Sequence, residues 1–154
     1  MHQKISKYFY FTICFAFFVF ATLYLSDLIV SQLLHGFSYT NDLISLNYVE
    51  NTGAAFSILQ DSREVLIIAS VVAICGIVAY IIRHISTISM KAIFFLAMLG
   101  AGIGGNLHER IALGFVRDYF ELNFVEFPVF NVADILINVG VIAIIIMILL
   151  KKKL

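Results

Sequence analysis

Two aspartates stand where carboxylates are costly. Asp134 closes "FPVFNVAD" and is followed directly by the apolar run "ILINVGVIAIIIMILL", while Asp118 lies in "VRDYF", in the segment just before it. An ionisable group at the edge of hydrocarbon is expensive and usually marks function. Two carboxylates brought close together cannot both ionise comfortably, so the pair shares one proton. One member then serves as general base on a water while the other donates to a carbonyl, and their titration belongs to the pair. This is the acid–base logic of aspartic proteolysis.

A plainer account of Asp134 exists. Asn131 has the character of a helix N-cap with Asp134 at the third helical position, a capping-box arrangement in which a carboxylate also meets the positive end of the helix. Capping does not explain Asn138, four residues further, which completes a polar stripe of Asn131, Asp134 and Asn138 pointing into the bundle. Nor does it explain Asp118. A third polar set, Asn106, Glu109 and Arg110 in "GGNLHERIALG", shares a helix face at spacings of three and four. It reads either as an interfacial ion pair capping the helix end or as support for the reacting groups. His108 lies beside Glu109, but H-E-x-x-H is absent and His2, His35 and His84 are scattered, so no metal site is expected. "GAGIGG" matches G-x-G-x-x-G letter for letter but falls inside an apolar helix with no preceding strand. The expected role is close helix packing through Gly100/Gly104 and Ala101/Gly105.

The elements that must position these groups are membrane helices. The chain has 154 residues, 62% of them hydrophobic and 14% aromatic, and a mean hydropathy of +1.00, far above a soluble domain. The expected fold is an all-α membrane protein with four transmembrane helices at approximately 9–26, 65–83, 92–110 and 132–150, together with a small extracytoplasmic β-hairpin or sheet and an outer loop. One domain spans 1–154. Lys4 and Lys7 precede a first apolar run longer than ~15 residues with no A-x-A-like site, which reads as a spanning helix and not a cleaved leader. Lys4 and Lys7, Arg83 and Lys91, and Lys151, Lys152 and Lys153 place both termini and the middle connection in the cytoplasm. Every acid (Asp27, Asp42, Glu50, Asp61, Glu64, Glu109, Asp118, Glu121, Glu126 and Asp134) falls on the other side. Net charge is zero without a basic stripe, so nucleic acid is not an expected partner. Cys14 and Cys75 sit in apolar segments and read as packing residues. Alternation through Ile44, Leu46 and Tyr48, a turn at Asn51 to Gly53 and a second apolar run predict a hairpin in the first outer connection.

"NTGAAFS", "GGNLHER", "VRDYF" and "FPVFNVAD", in this order, resemble the motifs of the bacterial lipoprotein signal peptidases (signal peptidase II), over most of the chain from Asp27 to Asn138. The resemblance implies a metal-free integral membrane aspartic endopeptidase that needs no cofactor. Its substrates would be diacylglyceryl-modified prolipoproteins, cut before the lipidated cysteine. It implies Asp118 and Asp134 as the catalytic pair, with Asn51, Gly53, Asn106, Arg110, Asn131 and Ala133 as support, and Asp27, Glu109 and Asn138 beside them. A monomer in the bacterial inner membrane, in contact with membrane lipid and with its active site outside, is the expected state.

Three positions depart from the family pattern. Glu109 replaces an Asp, which would shift its contact to Arg110 or to the loop carrying Asp118. Ser31 stands where a Lys usually follows Asp27, and Arg117 replaces an apolar residue and is expected to lower the pKa of Asp118. The alternatives are a weak or inactive paralogue, a small proton- or ion-transport subunit using the intramembrane Asp134, and a structural assembly factor. Transport requires polar residues through the full depth of the bundle, and "VGVIAIIIMILL" below Asn138 has none.

Overall fold

Long apolar stretches with no internal proline favour helix wherever backbone groups must be satisfied within their own segment. The chain's single proline, Pro128, lies between elements. The computed structural model describes residues 2–53 and 62–150. In chain order the elements are α1 (His2–Leu34), β1 (Tyr39–Thr40), β2 (Ile44–Asn51), α2 (Arg63–His84), α3 (Met90–Ala112), β3 (Val116–Leu122) and α4 (Val132–Leu149). All four helices are long and apolar enough to cross a bilayer, so the protein is a four-helix membrane protein with a small sheet at one end. At ~1.5 Å per residue, the 33 residues of α1 outrun a hydrocarbon core of ~30 Å. α1 therefore extends past 9–26 at both ends.

α3 is the axis, packing against α1, α2 and α4. Its buried positions recur at steps of four, Ile93, Ala97, Ala101, Gly105 and Glu109, so one stripe turns from apolar to polar as it nears the sheet. Small residues permit this packing, though not only those the sequence singles out. A Cβ on Gly102 would meet the Ala133 carbonyl oxygen at 2.5 Å, and one on Gly105 would meet Thr22 Oγ1 at 2.9 Å. Gly100 and Gly104 face Phe15 less tightly, at 3.4 and 3.6 Å. The close approach of α3 to α4 thus depends on Gly102, which lies between the predicted pairs. At the end away from the sheet, Ile81, Ile85, Ile88, Ile93, Leu96 and Met147 form an apolar cluster. Phe9, Phe17, Phe20, Val72, Ile142 and Leu149 are exposed on the outer helix surfaces, where lipid solvates them.

The sheet reaches beyond a local hairpin, such as the one β1 and β2 form. Its order is β1-β2-β3, all antiparallel, so β2 pairs with a strand from beyond α3. The apolar run after Gly53, expected as the second hairpin strand, falls within residues 54–61, outside the described residues, and Lys151, Lys152 and Lys153 are outside them too.

Candidate active site

Asp118 reaches its surroundings through a register shift. β2 and β3 pair Leu46 with Phe120 on one side of an irregularity and Val49 with Asp118 on the other. A single extra residue in one strand flips the faces beyond it. With the bulge, Asn51 pairs with Val116 and so shares a face with Asp118; without it, Asn51 would point away. Asn51 Nδ2 donates to Asp118 Oδ2 at 2.9 Å, while Asn51 Oδ1 accepts the Gly53 N–H at 2.9 Å. The turn and the carboxylate are thereby tied through one side chain.

The other edge of β3 takes the start of α4. Phe130 exchanges main-chain hydrogen bonds with Phe120, its N–H donating at 2.9 Å and its carbonyl accepting at 2.8 Å. This brings Asn131 beside Asp118. Asn131 caps α4 in a reciprocal capping box, its Oδ1 accepting the Asp134 N–H at 2.9 Å and its own N–H donating to Asp134 Oδ2 at 3.1 Å. Its Nδ2 donates to Asp118 Oδ1 at 2.7 Å. Asn106 on α3 donates to Asp134 Oδ1 at 2.8 Å and accepts from Asn131 at 3.2 Å. The capping account of Asp134 holds and accounts for one of its oxygens; the other faces Asn106.

Arg110 donates to the Gly53 carbonyl at 2.8 Å and to the Asn106 carbonyl at 3.4 Å, and its buried Nε has no partner among the described residues. Ala133 is buried and small enough for Gly105 to approach it. Asn51, Asn106, Arg110, Asp118, Asp134 and Asn138 line a cavity of about 270 Å³ together with Phe127, Pro128, Val129 and Phe130. Asn138 is exposed at this cavity, donating to the Asp134 carbonyl at 2.9 Å, and so is not directed into the bundle interior as the stripe implied.

Asp118 is 2% exposed. Burial pushes its carboxyl up to about 7, helped by the charges of Asp134 and Glu109 and opposed by the Asn51 and Asn131 hydrogen bonds. Arg117 does not lower it, and strand alternation explains why: consecutive side chains point to opposite faces. Arg117 turns from Asp118 to Glu109 and Asp27, at 2.6 and 2.8 Å. Of the two contacts expected for Glu109, to Arg110 or to the segment carrying Asp118, the second forms, through Arg117. His108 is exposed, and among the described residues no three His, Cys, Asp or Glu side chains gather into a metal-holding group.

The model of the family described as Signal peptidase (SPase) II matches residues 6–150. The chain belongs to the signal peptidase II family. This is a protease family. The lipoprotein signal peptidase of Streptococcus pneumoniae is 39% identical over 115 residues, 75% of this chain and 74% of that protein. Its counterpart in Streptococcus pyogenes serotype M5 is 39% identical over 104 residues, 68% of each. Two solved structures described as bacterial membrane enzymes superpose with TM-scores of 0.80 and 0.77, each 26% identical and covering 90% of this chain, with 87% and 92% of their own chains matched.

Within this signal peptidase II member, the structure adds residues to which the motifs give no role. Ser26 donates to Glu109 at 3.0 Å. The fully buried Tyr119 accepts the Val132 N–H at 3.3 Å and so fastens the first turn of α4 to β3. Arg63, opening α2, donates to the carbonyls of Arg110 and Ile111 at 2.8 and 3.0 Å and caps the end of α3. Arg63 had a detectable signal: with Arg110 and Arg117 it is one of three basic residues outside the terminal and middle basic clusters.

Proposed function

We propose that this protein is a membrane aspartic endopeptidase that removes signal peptides from diacylglyceryl-modified prolipoproteins, cutting before the lipidated cysteine. The observation that carries the reading is that Asp118 and Asp134 line one cavity and are joined through Asn131, which hydrogen-bonds to both. Burial pushes the Asp118 carboxyl up to about 7, which suits it to the part of the acid, with Asp134 as the base. Asp134 takes a proton from a water whose oxygen attacks the scissile carbonyl carbon, while Asp118 gives its proton to the carbonyl oxygen. The resulting gem-diol collapses as the C–N bond breaks: its hydroxyl proton returns to Asp118 and Asp134 passes its own to the leaving amine, restoring both groups. Asn51, Asn106 and Asn131 hold the carboxylates in place.

The location suits the substrate. Asp134, the third residue of α4, lies ~5 Å from the helix start, at the membrane boundary where a peptide leaving a spanning signal sequence becomes accessible. With the basic clusters cytoplasmic, the cavity opens on the outer face of the inner membrane. The apolar rest of α4 offers no continuation of the polar path and argues against ion transport.

The test is a gel-shift cleavage assay of the purified protein with a diacylglyceryl-modified prolipoprotein, beside Asp134→Asn. Cleavage by the wild type and none by the variant is expected. Equal cleavage by both removes Asp134 from the reaction, and a folded wild type that leaves the substrate intact makes the inactive paralogue the better reading.

A further inference from the structure

Among the described residues at the sheet end, Glu109 accepts four hydrogen bonds, more than either aspartate, and is 5% exposed near the end of α3. Its Oε2 accepts the main-chain N–H of Arg117 at 2.7 Å. Its Oε1 accepts Nε and Nη2 of the same arginine at 2.9 and 2.6 Å, and the Ser26 hydroxyl at 3.0 Å. Arg117 Nη2 also reaches Asp27 at 2.8 Å, but Asp27 is largely exposed, so that arm is screened and contributes little. The buried centre is the Glu109–Arg117 pair.

A carboxylate that grips both the backbone and the side chain of one residue fixes the peptide plane as well as the rotamer. The residue gripped is the one directly before Asp118. The helix that grips it also carries Asn106, the donor to Asp134. We infer that Glu109 and Arg117 act together as positioning residues, locking β3 to α3 and so setting Asp118 against Asp134. The pair touches no substrate, because Arg117 and Asp118 face opposite sides of β3 and the cavity lies on the Asp118 side. The inference rests on the assignment of the two aspartates above.

The test uses the full chain in detergent micelles, with Glu109→Gln, Arg117→Met and the double variant, and two readouts. In steady-state cleavage each single substitution is expected to lower kcat tenfold or more per folded molecule with KM changed less than threefold. The double variant should be no slower than the worse single, since each change removes the function of one shared unit. In hydrogen–deuterium exchange, Glu109→Gln should speed exchange of the Val116–Leu122 peptide at least tenfold and leave α2 unchanged. A kcat within twofold of wild type for either single overturns the inference, as do losses confined to KM or losses that multiply in the double. If the wild type cleaves nothing, the proposed function fails, and the exchange readout still decides. Faster exchange confined to β3 supports the lock, while unchanged exchange, or a rise equal throughout the chain, overturns it.

Discussion

The two ends of the bundle each bury an ionisable side chain, and they do so in opposite ways. At the end away from the sheet, Lys7 is 8% exposed and donates to two main-chain carbonyls, Ile85 at 3.0 Å and Ile88 at 2.7 Å, closing the turn between α2 and α3. Its partners are backbone and its surroundings apolar packing. At the sheet end, Asp118 is held by two side-chain amides and faces a cavity. A buried ionisable group consumed by backbone partners is a joint; one suspended on side chains beside open space is available for chemistry.

The sharpest way to break that contrast is Asp118→Asn. The amide keeps the size of the carboxyl but cannot donate a proton as an acid, so cleavage should fall at least about 1000-fold while the protein still folds, checked by the same gel-shift assay and by thermal unfolding. Retained turnover would place Asp118 with Lys7 among structural groups. Lys7→Met does the converse. It deprives two carbonyls of a charged donor and should cost ~2–3 kcal/mol of stability, read as a lower unfolding midpoint, with kcat per folded molecule unchanged. A fall in kcat would show that the two ends are coupled through α3.

The same contrast explains what the sequence made visible. The four spans, the capping box at Asn131 and the convergence of Asn106, Asp118, Asn131 and Asp134 follow from local periodicity, capping chemistry and motif order. The sheet was less legible, because β2 pairs with a strand from beyond two helices and only a register shift places Asn51 on the Asp118 side. Chain distance and a bulge leave no local signature. Arg117 was misjudged for a related reason: adjacency in sequence suggested that it acts on Asp118, whereas adjacency in a strand means opposite faces. Gly102 was missed because a spacing of four identifies a helix face but not which neighbour it meets.

The pH dependence tests the setting of Asp118 directly. Burial raises its carboxyl from the ordinary 3.8 to about 7, so the acid is protonated below that pH and lost above it. On the alkaline side kcat/KM should fall about tenfold per pH unit, with an apparent pKa near 7 that belongs to the coupled pair. Linkage gives the matching stability trend. The folded state binds the proton more tightly than the unfolded chain, so this stabilisation is complete below about 3.8 and is lost as pH rises through about 7. The unfolding midpoint of the wild type should therefore drop across that window, and Asp118→Asn should flatten the drop. If instead the slope survives in the variant, another acid at the site binds the proton. Asp134, the partner of Asp118 through Asn131, is then the group to substitute next, because the contrast between the two ends requires only that the shared proton reside at the sheet end.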